Sequence, residues 1–189
     1  MKRTLKLFFL ILLVFPAVLA QQKRAITFDD LIGFGRVGDP QISPDGKTIA
    51  YVVTNYNKTE NSSNSNIYLV PIEGGPVRQL TAAKKGNNTP RWMPDSKSIG
   101  FVSTRDGESQ IWIIPVTGGE ARKVTTISTE ASGLVVSPDG KFLAFRSDVY
   151  PDLPDDKANR ERNEQREKSK VKAKVFTHLP YRVWDSWKD

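Results

Sequence analysis

The chain has 189 residues, 26% of them charged and 38% hydrophobic, with a formal net charge of +7 and no cysteine. The lack of cysteine excludes a disulfide framework, thiolate zinc sites, a catalytic thiol and a lipid-modified cysteine. A basic total commonly signals nucleic acid or an acidic surface, but removal of Lys2, Arg3 and Lys6 lowers it to +4, and +3 of that falls in the mixed-charge stretch 155–174, so no nucleic-acid partner is expected.

At the start of the chain, Met1-Lys2-Arg3 and Lys6 precede an unbroken apolar run over 7–15, and Val18-Leu19-Ala20 places small or apolar residues before Gln21. That layout predicts a secretory signal peptide over 1–20, with an apolar core short for a bilayer span. Export to the periplasm or the medium, with no stable membrane anchor after cleavage, is therefore expected; an uncleaved N-terminal anchor is the alternative. A lead-in segment over 21–38 follows. Within it Thr27-Phe28-Asp29-Asp30-Leu31 reads as a short capped helix, because Thr27 can accept from a backbone N–H three residues on and the Asp pair suits the helix N-terminus.

One phrase then recurs: Ser43-Pro44-Asp45-Gly46-Lys47, Met93-Pro94-Asp95-Ser96-Lys97 and Ser137-Pro138-Asp139-Gly140-Lys141, its prolines 50 and 44 residues apart. Pro presets φ, Asp caps its own backbone and Gly accepts φ > 0, so each phrase is a turn between strands. After it, large and small residues alternate: Ile49-Ala50-Tyr51, Ile99-Gly100-Phe101, Leu143-Ala144-Phe145. Further on, Ile67-Tyr68-Leu69-Val70-Pro71 matches Ile111-Trp112-Ile113-Ile114-Pro115, and Gly74-Gly75 matches Gly118-Gly119 as a hairpin turn. A period of this length with strand-like text is the mark of a propeller blade. The fold class is all-β, a partial β-propeller over 39–189 of about two and a half four-stranded blades. Its blades are expected over 39–82 and 89–126, with a partial blade over 131–189. Propellers close with about 4–8 blades, so the front end of a longer polypeptide is expected.

Two departures from the period stand out. The first repeat is six residues longer than the second, and the surplus reads as a polar surface loop over 55–66 holding the sequons at Asn57 and Asn61. The third repeat should start its next strand near 155 but runs instead through Asp155-Asp156-Lys157-Ala158-Asn159-Arg160-Glu161-Arg162. This charged text predicts a solvated helix, with Glu161–Gln165 and Glu164–Lys168 at i,i+4 spacing, inside an insertion over 150–180. Long insertions in repeat architectures tend to be functional. Aromatic residues follow, with Tyr181, Trp184 and Trp187 at a spacing that would share one helix face and pack the insertion onto the propeller.

No catalytic set can be assembled. His178 is the single histidine, and Gly107-Glu108-Ser109-Gln110-Ile111 fails the nucleophile-elbow pattern at its last position. The acids stand in turns or among Arg and Lys, which supports no metal site, and no phosphate-binding glycine loop leads from strand to helix. No catalytic residue, cofactor or metal is expected.

With the repeats and insertion laid out, the chain resembles the exported dipeptidyl-peptidase and acylaminoacyl-peptidase branch of the prolyl oligopeptidase family of serine peptidases. The likeness rests on Phe28-Asp29-Asp30-Leu31 with Arg36-Val37-Gly38-Asp39-Pro40-Gln41-Ile42, on Trp92-Met93-Pro94-Asp95 and Phe101-Val102-Ser103-Thr104-Arg105-Asp106-Gly107, and on Lys168-Ser169-Lys170-Val171 with Tyr181-Arg182-Val183-Trp184-Asp185-Ser186-Trp187. Family members often carry His where this chain has Val183. The resemblance implies a propeller that gates peptide access to a downstream α/β-hydrolase domain whose Ser-Asp-His triad lies beyond residue 189, so peptide substrates would be met through the full-length protein. By analogy, Glu161, Glu164 and Glu167 are candidates to pair with a substrate amine. The Ser-Pro-Asp-Gly repeat also occurs in periplasmic propellers such as TolB, so the alternative is a non-catalytic TolB-like propeller acting as a binding module.

Overall fold

The computed structural model describes residues 24–171 and 173, with the backbone of residues 182–183 and 186–187. The expected signal peptide, His178, Tyr181, Trp184 and the side chain of Trp187 lie outside the described residues.

Helix α1 (Phe28–Gly33) opens the described chain. Thr27 and Asp30 form a reciprocal capping box, and Arg24 pairs with Asp30. Two four-stranded antiparallel meanders follow. The first is β1 (Arg36–Ile42), β2 (Thr48–Asn57), β3 (Ser62–Pro71) and β4 (Arg78–Gln79); the second is β5 (Asn87–Trp92), β6 (Ser98–Ser103), β7 (Gln110–Pro115) and β8 (Arg122–Lys123). The third repeat supplies only β9 (Ser132–Val136) and β10 (Leu143–Arg146) before helix α2 (Asp156–Lys168), and a short pair, β11 (Arg182–Val183) with β12 (Ser186–Trp187), comes last.

The Pro-Asp turns join the first two strands of each unit. Asp45, Asp95 and Asp139 each accept from the N–H of the lysine two residues on, at 3.2, 2.9 and 3.1 Å. The residue between takes positive φ: +71° at Gly46, +57° at Ser96 and +70° at Gly140. Ser96 is not a glycine, and its hydroxyl accepts from the Asp45 N–H at 3.1 Å, tying the second turn to the first.

A second periodic feature lies on the first strand of each unit. The register of β1 on β2 slips between Gly38 and Gln41, that of β5 on β6 between Asn88 and Arg91, and that of β9 on β10 between Ala144 and Arg146. In each bulge one residue, five places ahead of the turn proline, adopts the left-handed conformation: Asp39 at φ +47°, Thr89 at +53° and Gly133 at +61°. The bulges also link strands, since Arg91 reaches back to both Asp39 carboxylate oxygens at 2.9 and 3.0 Å. A β-branched residue is poorly suited to this region. Thr89→Asn is therefore expected to stabilise the protein by about 1 kcal/mol, read as a higher denaturation midpoint. A lower midpoint would show that the threonine methyl contributes more by packing than it costs in strain.

The alternation of large and small residues has a packing cause. Ala50, Val52, Ile67 and Leu69 on the first sheet meet Ile99, Phe101 and Ile114 on the second. The opposite face of the second sheet offers Val102 and Ile111 to Ala131 and Leu134. Gly100 lies on that face, and a Cβ there would sit 3.0 Å from a Leu134 methyl. Small residues thus admit the bulge of the following unit. On the third sheet the same positions are open: Ala144 is exposed, and Phe145 is 37% exposed.

The surplus in the first repeat is not a loop, as its composition suggested, but an extension of the β2–β3 hairpin. Asn55 pairs with Asn64, Tyr56 with Ser63 and Asn57 with Ser62. Cross-strand bonding such as Thr54–Ser65 at 2.8 Å holds the arm, Asn57 accepts the Glu60 N–H, and Asn61 takes φ +46° at the tip. Both faces of the arm are wet, so no apolar alternation marks it.

Candidate functional site: the cleft beneath the inserted helix

The site begins where β10 ends. Ser147 donates to the Glu130 carbonyl at 2.6 Å and bonds the Thr129 hydroxyl at 2.7 Å, anchoring the chain as it leaves the sheet. Tyr150 then becomes the centre of a small folded unit. Its N–H donates to Asn159 Oδ1 at 2.8 Å, and Asn159, only 3% exposed, donates to the Asp155 carbonyl at 2.7 Å. The Tyr150 ring lies beneath the Arg162 guanidinium, 4.9 Å from its centroid, and the Arg166 guanidinium, 5.7 Å away. Its hydroxyl donates to Asn163 at 2.9 Å and accepts from Arg166.

Helix α2 forms because its ends are well supplied. Asp155 caps the Ala158 N–H at 2.8 Å, Asp156 sits in the first turn, and Arg166 and Lys168 sit in the last, matching the helix dipole. Arg160 pairs with Asp156 and Lys168 with Glu164, both at 3.1 Å. Glu161 reaches back to Lys157 at 3.8 Å rather than forward to Gln165. Arg162 grips Asp152 with two bonds of 2.9 and 2.8 Å, which hold the Asp152 carboxyl below the usual carboxylate range.

Asp156 carries a second duty. Its Oδ1 accepts from the Ser128 hydroxyl at 2.7 Å and from the Ser128 N–H at 2.9 Å. Ser128 stands on the connection between β8 and β9. These two bonds, with a smaller contribution from Arg160, lower the Asp156 carboxyl below its ordinary value.

Between the helix and the second sheet lies a cleft of about 630 Å³. Tyr150, Arg160, Glu164 and Glu167 form one wall, with Glu108 and Lys123 on the other. Of the three predicted glutamates the structure brings Glu164 and Glu167 to the cleft, while Glu161 is not among its lining residues. Lys123 is engaged by Asp106 at 2.7 Å and Arg160 by Asp156, so two cations of the cleft already have carboxylate partners. Arg166 also lines the cleft and Glu164 is itself paired with Lys168, so the lining is of mixed sign, and a cationic group entering there would compete with Lys168 for the Glu164 carboxylate. Among the described residues no group of three or more His, Cys, Asp and Glu side chains is placed to hold a metal ion. Sequence reasoning missed Glu108, Lys123 and Tyr150. Only Tyr150 left a signal, as a lone aromatic just ahead of the charged run.

The fold and insertion place the chain among propeller proteins, and comparison gives the family. The family described as TolB beta propeller domain matches residues 21–157, and the chain belongs to it. Dipeptidyl-peptidase 5 of Porphyromonas gingivalis is 35% identical over 161 residues, spanning 80% of this chain and 21% of that protein. Dipeptidyl-peptidase 5 of Porphyromonas endodontalis is 29% identical over 172 residues, spanning 91% of this chain and 24% of that protein. The chain thus spans about a quarter or less of the curated relatives it matches. Among solved structures, the acylaminoacyl peptidase of Pyrococcus horikoshii superposes with a TM-score of 0.53 at 24% identity, covering 65% of this chain and 19% of that one, and shares the fold. No helix among the described residues is long and apolar enough to cross a membrane.

Proposed function

We propose that this chain is the N-terminal propeller portion of an exported serine exopeptidase of the dipeptidyl- or acylaminoacyl-peptidase type, gating peptide access to a downstream α/β-hydrolase domain. The observation that carries the reading is the 35% identity to a dipeptidyl-peptidase of which this chain spans 21%. The charged start and apolar run over 1–20 support export. In this reading the serine nucleophile and its partners lie outside the chain, and the propeller supplies selection. The helix carries Glu161, Glu164 and Glu167 as amine-pairing carboxylates, the last two bearing directly on the cleft. A free peptide amino terminus entering there would gain a charge-assisted bond, contributing about 1.5–3 kcal/mol.

The test is a Glu164→Gln/Glu167→Gln variant of the full-length protein. KM for a dipeptide substrate with a free amine is expected to rise about tenfold or more, following from that bond strength. Neither kcat nor the KM of an N-acylated analogue should change. Equal KM values for variant and parent would remove the amine-pairing role. A second reading, a non-catalytic binding propeller, is favoured by the family itself, whose description is that of TolB. Covalent labelling of the full-length protein by a fluorophosphonate supports the peptidase; no labelling supports the binding module.

A further inference from the structure

The Pro-Asp turns lie side by side, Ser96 against Asp45 and Gly140 against Pro94, so the units share one orientation. The second strand of each unit runs away from its turn, and β2, β6 and β10 therefore all end on the opposite rim. That rim carries the β2–β3 arm, the turn that bears Glu108 and the segment leading to α2. It also carries α1, because β1 is antiparallel to β2 and starts with Arg36 against Thr54. The helix is firmly seated there. Lys58 of the arm pairs with Asp29 and lies over the Phe28 ring, 5.5 Å from its centroid. Where α1 leads into β1, a Cβ on Gly35 would stand 3.0 Å from Val53 and 3.1 Å from Asn55, so the helix exit lies close on β2.

What this seated helix presents is apolar. Ile26, Phe28, Leu31 and Phe34 are each more than half exposed, no residue of α1 is buried, and Ile32 alone of its large apolar side chains is half-buried. Phe28, Leu31 and Phe34 follow at three-residue steps, which places them along one side of the helix. A surface helix ordinarily turns its apolar stripe to the core, and exposed apolar side chains rimmed by charge mark an interaction surface. The charges here pair with one another, Arg24 with Asp30 and Lys58 with Asp29, so a partner would meet the apolar side chains. The chain spans 21% and 24% of the two dipeptidyl-peptidases described above, so most of the length of each lies outside the matched part. We infer that Phe28, Leu31 and Phe34 form a docking ridge for the downstream part of the same polypeptide, seating it over the rim that carries the candidate cleft rather than over the rim of Pro-Asp turns. The existence of that part and its α/β-hydrolase character rest on the proposed function; the choice of rim rests on α1.

Photocrosslinking of the full-length protein tests the ridge. A benzophenone side chain introduced as Phe28→p-benzoylphenylalanine or Leu31→p-benzoylphenylalanine is expected to join peptides from beyond residue 189 of the same chain, read by mass spectrometry of the monomer band. The same probe at Val77, an exposed position beside the Pro-Asp turn of the opposite rim, is expected to join none of them. Phe28→Ser/Leu31→Ser should speed amide exchange in the joined segment about tenfold or more, from loss of two buried apolar side chains, with the strands of the second sheet unchanged. Cross-links that are absent, that stay within residues 1–189, that join two copies or that form equally from Val77 would each overturn the ridge, as would unmoved exchange in the double variant. Capture of a downstream part that a fluorophosphonate leaves unlabelled would uphold the ridge and remove the hydrolase as its partner.

Discussion

Asn87→Ala should cost about 3 kcal/mol of stability, because one fully buried side chain serves both sheets. Its amide donates to Asn66 Oδ1 at 3.0 Å and to the Lys85 carbonyl at 3.1 Å, while its oxygen accepts from Ser103 at 2.9 Å and from Arg105 at 2.7 Å. The chain of bonds continues through Thr81, which donates to Asn66 at 3.1 Å and accepts the Ile67 N–H at 2.9 Å. Truncation removes the acceptor of the fully buried Ser103 hydroxyl, which keeps only its bonds from Arg105, and takes one acceptor from the Arg105 guanidinium. That guanidinium is already lowered in pKa by burial and lies over the rings of Phe101 and Trp112. An isolated buried polar group costs far more than a bond contributes, so the loss exceeds that of an exposed amide. The check is the denaturant midpoint of the full-length protein. A change below about 0.5 kcal/mol, the range of surface substitutions, would mean that water enters and replaces the amide.

Phe101→Ala should be larger still, about 3–5 kcal/mol. The ring is 0% exposed and packs on β6 among residues of both sheets, so truncation opens a cavity at the place where the sheets meet. Ile99, two residues earlier on the same face and also fully buried, limits how far the wall can collapse. Thermal melting followed by near-ultraviolet dichroism of the packed aromatics reads the result. A loss no greater than that of an ordinary surface change would show that the two sheets are held by their polar network instead.

Much of the propeller was legible because its devices are local. A Pro-Asp-Gly turn, a Gly-Gly hairpin and an alternating strand each announce themselves within five residues. Thr81 and Thr125 stand at matching positions of the first two repeats, 44 residues apart, but nothing in the sequence shows their purpose. Each hydroxyl accepts an N–H of the third strand, at Ile67 and Ile111, both at 2.9 Å. The bulges escaped because Asp39, Thr89 and Gly133 share a conformation and no chemistry. The hairpin over 55–66 escaped because composition alone cannot tell a loop from a strand with two wet faces.

At the candidate site the helix could be read, since charge spacing and an Asp cap are sequence features. Its placement could not. Asp156 meets Ser128 across 28 residues, and Glu108 comes from a connection of the second sheet, so only folding brings them together. That is why Glu164 and Glu167 were separable from Glu161 only in three dimensions.

The seat that Gly100 provides for Leu134 bears on how the polypeptide is made. The face on which β9 docks is built wholly by the second sheet, so the packing of Leu134 is coupled to the integrity of that sheet. Its own first-sheet-facing residues, Ile99 and Phe101, in turn require Ala50 and Val52 to be in place. Synthesis from the N-terminus supplies the units in that order. Each unit's docking face is thus supplied by the unit that leaves the ribosome before it.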